Sequence, residues 1–336
     1  MSHDVRLLPS GKTFTAQARE TLLEAGLRAG ASLPYRCDNG SCGECRGRIV
    51  AGQIREVRPH DYVVSEAERA QGVQLLCCVA AASDVEVEVR EIGSVEEIPR
   101  QTIATKVFKL QLLDGEVMEV HLRTPRSQAM QFLPGQHALL TLPGLLPRYR
   151  SLANCPCNGT HLLFYVRRAP GDAFSEYVFA SLARGDQVMV EGPEGRFTLD
   201  EASTRPIIFF AYDVGFAPLR SLIEHTMALD ELRVMWCYWM TLRPQDHFLD
   251  NLCRSWADAL EEFHYVPLAS LRTEAEGGPE WRELTAVERI VEDHPDLSGC
   301  DVYMTGPRGM VDFARRRFMA AGLPPERFFQ EVLRTF

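Results

Sequence analysis

The chain has 336 residues and a formal net charge of −10, enough length for two domains or three small ones. A balance this acidic excludes a surface built to wrap nucleic acid, which needs clustered Lys and Arg. Apolar residues at 46% and charged residues at 24% predict a soluble globular chain, and the longest apolar run, PIIFFAY from Pro206, is far too short for a membrane span. MSHDVRLLPSGK lacks the apolar segment of a secretory signal, so a cytoplasmic location is expected. Ten cysteines in such a chain then read as metal ligands or free thiols, not as a disulfide framework.

The first block covers residues 1–93. VRLLPSGKTFTA predicts a hairpin around a Pro-Ser-Gly turn, and ARETLLEAGLRAG an amphipathic helix with Leu22, Leu23 and Leu27 on one side and Gly30 as its stop. CDNGSCGECRG follows, placing Cys37, Cys42 and Cys45 among Gly40, Gly43 and Gly47. C-x4-C-x2-C is the plant-type 2Fe–2S spacing and calls for a distant fourth thiol. The glycines let the loop bend and aim backbone N–H groups at the sulfurs. VQLLCCVA offers Cys77 or Cys78; neighbours on a strand face opposite ways, so only one can serve. DVEVEVREI alternates as a strand with one wet face, and the mixture predicts a small α+β domain.

In the second block, residues 98–202, the segments EVMEVHLRT, HALLTLP, THLLFYVRR and DQVMVEG are separated by Pro and Gly turns, the pattern of an antiparallel barrel. Cys155 and Cys157 in NCPCN have no partner pair nearby and read as ordinary thiols. In the third block, residues 203–336, PIIFFAY, LRVMWCYWM, FHYVPLAS and CDVYMTG read as strands. They alternate with the helical segments APLRSLIEHTMAL, HFLDNLCRSWADAL and GMVDFARRRFMAAG, which predicts an α/β domain with a parallel sheet.

From RCDNGSCGECRG through VEVREI, RSLAN, EGPEGRF, GFAPLRSLIEH and YVPLAS to VYMTGPRGMVDFARR, the chain resembles the ferredoxin-reductase family with an amino-terminal plant-type 2Fe–2S domain. That family includes oxygenase reductase components and reductases of the CDP-deoxyglucoseen type. The resemblance implies a β-grasp ferredoxin domain, a flavin barrel and an NAD(P)-binding-like domain, with Cys77 as the fourth iron ligand. It implies that Arg148 pairs with the FAD pyrophosphate and that Ser151 lies near the isoalloxazine. The family's tyrosine in R-x-Y-S is replaced by Arg150, with Tyr149 one place early. Either a bulge re-aims Tyr149 or the flavin lies against Arg150, a cation that would favour an anionic reduced flavin. Gly171 and Ser175 fall in the phosphate segment, where Asp172 replaces a second glycine.

In the third domain the resemblance makes Gly215, Pro218 and Gly306 nucleotide-side positions, and Thr305 replaces the cysteine beside the nicotinamide, acting there with Ser151. Four departures point to weaker nucleotide binding. Tyr212, Asp213 and Val214 replace small residues of the phosphate turn, so that Asp213 sets a negative charge where phosphates should sit. Met240, Thr241 and Leu242 stand at G-x-R, with Arg243 one place late. The other two are Thr305 itself and Glu331, Val332 and Leu333 at the D-A-F position, where Phe336 would have to supply the aromatic face.

Two functions stay open. One is a reductase passing electrons from NAD(P)H through FAD and the 2Fe–2S cluster to a partner oxygenase or dehydratase. The other is an iron–sulfur flavoprotein, an electron-transfer or assembly subunit, reduced by a separate protein donor.

Overall fold

The computed structural model describes residues 2–60, 62, 64–157, 159–229, 233–269 and 279–333, with backbone alone for 279–284. Phe336 lies outside the described residues. The first unit runs through β1 (His3–Leu8), β2 (Thr13–Ala16), α1 (Leu22–Arg28), β3 (Arg46–Ala51), β4 (Ile54–Glu56), α2 (Glu66–Ala70), β5 (Val73–Leu75), β6 (Val79–Ala81) and β7 (Val85–Glu88). Its sheet has the order β2-β1-β7-β3-β5, with β4 and β6 paired separately. α1 starts at a reciprocal cap: Glu24 N–H donates to Thr21 Oγ1 at 3.2 Å and Thr21 N–H to Glu24 Oε2 at 3.0 Å. Leu22, Leu23 and Leu27 turn into the core under the sheet, as the helical spacing predicts.

The second unit contains β8 (Gln101–Leu113), β9 (Val117–Arg123), β10 (His137–Thr141), β11 (Arg148–Ser151), β12 (His161–Arg167), α3 (Ala173–Ala180) and β13 (Gln187–Glu194). Its order is β11-β10-β13-β8-β9-β12, antiparallel at every pairing. The end strands β11 and β12 approach each other without joining, so the barrel is nearly closed.

The third unit alternates β14 (Ile207–Tyr212), α4 (Phe216–Ala228), β15 (Met235–Thr241), α5 (Asp250–Ala259), β16 (Phe263–Ala269), α6 (Pro279–Asp293), β17 (Asp301–Gly306), α7 (Arg308–Ala320) and β18 (Phe328–Val332). The sheet is parallel, in the order β16-β15-β14-β17-β18. The order reverses at β14, so a crevice opens where β14 and β17 end, the usual ligand position in such sheets. β18 was read in the sequence only as a degenerate motif, yet it completes the sheet. No helix among the described residues is long and apolar enough to cross a membrane.

Arg233 and Asp301 make a buried ion pair at the start of the central strands, with side chains 6% and 0% exposed. Removing Arg233 leaves the fully buried Asp301 carboxylate with only the longer contact to Arg327 at 3.5 Å. Arg233→Met should therefore cost about 3 kcal/mol in chemical denaturation, and the double variant Arg233→Met/Asp301→Asn clearly less. Equal losses in both would mean the pair carries no buried charge cost.

Candidate cofactor sites

Cys37, Cys42 and Cys45 come from the loop between α1 and β3. Cys77 and Cys78 come from the turn between β5 and β6, where Cys78 N–H donates to Leu75 C=O at 2.8 Å. They are therefore not on a strand, and the opposite-face argument does not apply; their sulfurs lie 3.6 Å apart. Cys77 makes thiol contacts with both Cys37 and Cys45, and Cys42 with Cys37. Cys78 packs on Gly40. Arg58 holds the two ligand-bearing segments together, donating to Asp38 C=O at 3.1 Å and Cys77 C=O at 3.4 Å while pairing with Glu24.

Two glycines make the loop possible. Gly40 and Gly43 have φ of 73° and 76°. A Cβ on Gly40 would come within 2.6 Å of the Cys78 sulfur, and one on Gly43 within 2.4 Å of the Tyr62 ring. The backbone thereby closes round the thiols, and Glu44 N–H points at Cys42 Sγ at 3.5 Å. Contact with Cys37, and then burial, push the Cys42 thiol up. Cys77 is also raised: contact with Cys37 pulls it down, but Cys45, Cys78 and burial outweigh that. Crowded thiols of this kind release their protons to a cation.

Among the described residues no group of three or more His, Cys, Asp or Glu side chains is gathered as a ready-made metal site; the thiols stand as hydrogen-bonding neighbours. The donor set and the glycine cradle nonetheless fit a 2Fe–2S cluster. Cys42 is the half-exposed member of the four, and the others are buried, so one edge faces outward.

The second site is a cleft between the barrel and the third unit, lined by His137, Tyr149, Arg150, Ser151, Tyr165, Arg167, Tyr212, Asp213, Val214, Ala217, Pro307 and Glu331–Leu333. β11 pairs with β10 in unbroken register, so no bulge re-aims Tyr149. Tyr149 instead shares a face with Ser151 and meets the His137 ring edge-on at 5.3 Å. Arg150 sits over Phe174, 5.1 Å from the ring centre, and burial pushes its guanidinium down to about 10 while Asp172 opposes this. It is a cation at neutral pH. Glu331 reaches across from β18 to Ser151 Oγ at 3.5 Å and to His137 Nδ1 at 3.1 Å.

Arg148 donates to Asp172 at 3.1 Å, and Asp172 caps α3 by accepting Ser175 N–H at 3.0 Å. Gly171 takes φ of 81° just before that cap. The Ser175 hydroxyl donates to Ala169 C=O at 3.0 Å. An acidic side chain therefore occupies the helix start beside Arg148, the place suited to a phosphate.

Asp213 differs from the sequence expectation. Its carboxylate is not a bare charge; it pairs with Arg167 of β12 at close range. Burial raises its pKa and Arg167 works against that shift. Its φ of 51° is the left-handed conformation that a glycine would adopt, and Asp tolerates it better than most residues. Arg167 Nε is buried in the cleft wall with no hydrogen-bond partner among the described residues, which suits a polar ligand there. Thr305 lies one layer below the cleft, fully buried, its hydroxyl donating to Gly215 C=O at 2.8 Å. Pro218 is buried in the first turn of α4, and Gly306 ends β17 beside Pro307. Arg243 is held by Asp246 at 2.8 Å and Leu242 is exposed, both at the end of β15.

Residues 5–83 match the model of the 2Fe-2S iron-sulfur cluster binding domain, 105–199 the oxidoreductase FAD-binding domain and 213–316 the oxidoreductase NAD-binding domain. The chain is 30% identical, over 99% of its length and 98% of the relative's, to the CDP-6-deoxy-L-threo-D-glycero-4-hexulose-3-dehydrase reductase of Yersinia pestis. It is 27% identical to the propane 2-monooxygenase reductase component of Rhodococcus jostii, covering 98% of this chain and 90% of that one. The chain belongs to the ferredoxin-reductase family with an amino-terminal 2Fe–2S domain.

Among solved structures, the Amycolatopsis cytochrome P450 reductase GcoB superposes with a TM-score of 0.63 at 27% identity, over 98% of both chains. The ferredoxin reductase in carbazole 1,9a-dioxygenase, at 22% identity and a TM-score of 0.59 over 99% of this chain and 98% of that one, shares the fold. As a member of this family of oxidoreductases, the chain carries the cluster, flavin and nucleotide domains in that order. His137, Tyr165, Arg167 and Arg58 gave no local signal, because each works through partners far away in the sequence.

Cys42→Ser should remove the iron and its visible absorbance while flavin stays bound, as read by iron analysis and spectroscopy; full iron occupancy would contradict the ligand set. Arg148→Ala should weaken FAD binding by about tenfold or more, the effect of losing a charge-assisted contact and leaving Asp172 facing the phosphates. An unchanged FAD titration would remove Arg148 from the site.

Proposed function

We propose that the chain is the reductase component of a multi-protein system. It takes electrons from NAD(P)H and delivers them through FAD and the 2Fe–2S cluster to a protein acceptor, an oxygenase or dehydratase component. The observation that carries this reading is the joining of a four-thiol site and a cleft walled by barrel and nucleotide domain within one chain. Bound flavin accepts a hydride's electron pair and gives up single electrons, the exchange a one-electron cluster requires.

The chain's own residues bind and orient. Cys37, Cys42, Cys45 and Cys77 hold iron, and Arg148 with the Gly171 turn serves the FAD pyrophosphate. Tyr149, Arg150 and Ser151 bound the flavin side of the cleft. Ser151, with Glu331 and His137 behind it, forms a hydrogen-bonded edge where a proton can be held. Gly215 allows close approach at the start of α4: a Cβ there would meet the Thr305 hydroxyl at 2.5 Å. Thr305 is thus a positioning residue for the turn. Pairing with Arg167, which also faces Asp114 at 4.0 Å, offsets part of the Asp213 charge and supports the nucleotide reading. A cytoplasmic setting suits the reduced thiols.

The test is anaerobic addition of NADH, and separately NADPH, to the purified holoprotein. Prompt bleaching of the flavin absorbance with either nucleotide is expected. Bleaching by dithionite but by neither nucleotide would overturn this reading in favour of a separate protein donor.

A further inference from the structure

The segment from Ser151 to Thr160 leaves the flavin cleft at one end and borders the iron–sulfur loop at the other. Its middle is held by α4 and by the first unit. Ser221 Oγ donates to Asn154 C=O at 2.7 Å, and Cys155 N–H donates to Glu224 at 3.2 Å, so α4 fixes the backbone of Cys155. Tyr35 of the first unit donates to Pro156 C=O at 3.4 Å. On this support Cys155 is a buried residue and Cys157 an exposed one. The two are in thiol–thiol contact, and the Cys157 thiol also donates to Cys155 C=O at 3.7 Å.

A base stands behind the pair. His225 Nε2 lies 2.9 Å from Glu201 Oε1, and Nδ1 lies 3.9 Å from Cys155 Sγ. A tautomer that donates Nε2–H to Glu201 leaves Nδ1 as an acceptor facing the Cys155 thiol. Contact with Cys157, then burial, holds the Cys155 thiol protonated, while the hydrogen bond from Cys155 pulls Cys157 down. An exposed cysteine beside a buried one, with an imidazole behind the pair, is the arrangement of a redox-responsive dithiol.

We propose that Cys155 and Cys157 form a reversible dithiol–disulfide site, oxidised by hydrogen peroxide, at the junction of the three domains. Cys157 gives up its proton and its sulfur attacks one peroxide oxygen; an S–O bond forms, the O–O bond breaks, and the departing hydroxide takes the Cys157 proton to become water. Cys155 gives its proton to His225 Nδ1 and attacks the oxidised sulfur. The S–S bond forms, the S–O bond breaks, and hydroxide leaves with that proton as a second water. Two thiols lose two electrons and the peroxide gains them. A dithiol reductant reverses the step. Cys157 borders the same small cavity as Cys37 and Cys77, so the switch sits beside the cluster.

The experiment reads thiols, not electron transfer, and so is independent of the reductase reading. Anaerobically purified holoprotein is given limiting hydrogen peroxide, alkylated and digested; both cysteines fall in the tryptic peptide 151–167. Cys155 and Cys157 should lose reactivity together, and recover with dithiothreitol. They should do so about tenfold faster than Cys237 and Cys253, whose thiols burial pushes up. In Cys155→Ser, Cys157 should stop at the sulfenic acid and be trapped by dimedone. The proposal is overturned if Cys157 is oxidised while Cys155 in wild-type protein stays alkylatable. It is equally overturned if the cluster absorbance is lost before either thiol reacts.

Discussion

The seam between the cluster loop and the flavin barrel is the constraint on which the rest depends. Asp38, next to Cys37, donates its N–H to Arg126 C=O at 3.0 Å and receives the Arg126 guanidinium at 3.3 Å. Tyr35 donates to Met130 C=O at 3.1 Å, and Gln131 to Leu33 C=O at 2.9 Å. Most of these bonds involve backbone groups, so they fix the loop's position and not merely its charge environment. Buried backbone partners are costly to abandon. Cys37 and Cys77 therefore face Ala129, Cys157, Gly159 and Thr160 of the barrel across one small cavity.

The same segment links the two cofactor sites. Ser151 in the cleft and Cys157 at the seam are separated by six residues, no more than about 20 Å of extended chain. The third unit braces this link from behind, through Ser221, Glu224 and His225 of α4. Arg220 of the same helix pins Tyr165 in the cleft wall and pairs with Glu224 at 2.8 Å. One helix thus supports the flavin cleft and the seam together.

The parts of the molecule that were legible in the sequence are those encoded locally. The cysteine spacing, the leucine face of α1 and the strand alternation of β7 each lie within a few residues, and their chemistry follows from spacing alone. The cleft was legible only in part. Arg167 and Asp213 are 46 positions apart, and Ser151 and Glu331 are 180 apart. Asp213 read alone is a bare charge in the way of phosphates; with its distant arginine it is one member of an ion pair. Glu331 read alone is a lost motif; in β18 it is a partner of Ser151. Cys77 and Cys78 misled for the opposite reason, since a turn in place of a strand brings adjacent thiols together.

The central claim is that the cluster is reduced from within its own chain. Anaerobic stopped-flow mixing with one equivalent of NADH, repeated over a wide range of protein concentrations, tests it directly. Cluster reduction should follow flavin reduction with a rate constant that does not change with protein concentration. A rate that rises in proportion to concentration would mean that electrons pass between molecules, and that the seam does not do what its geometry implies.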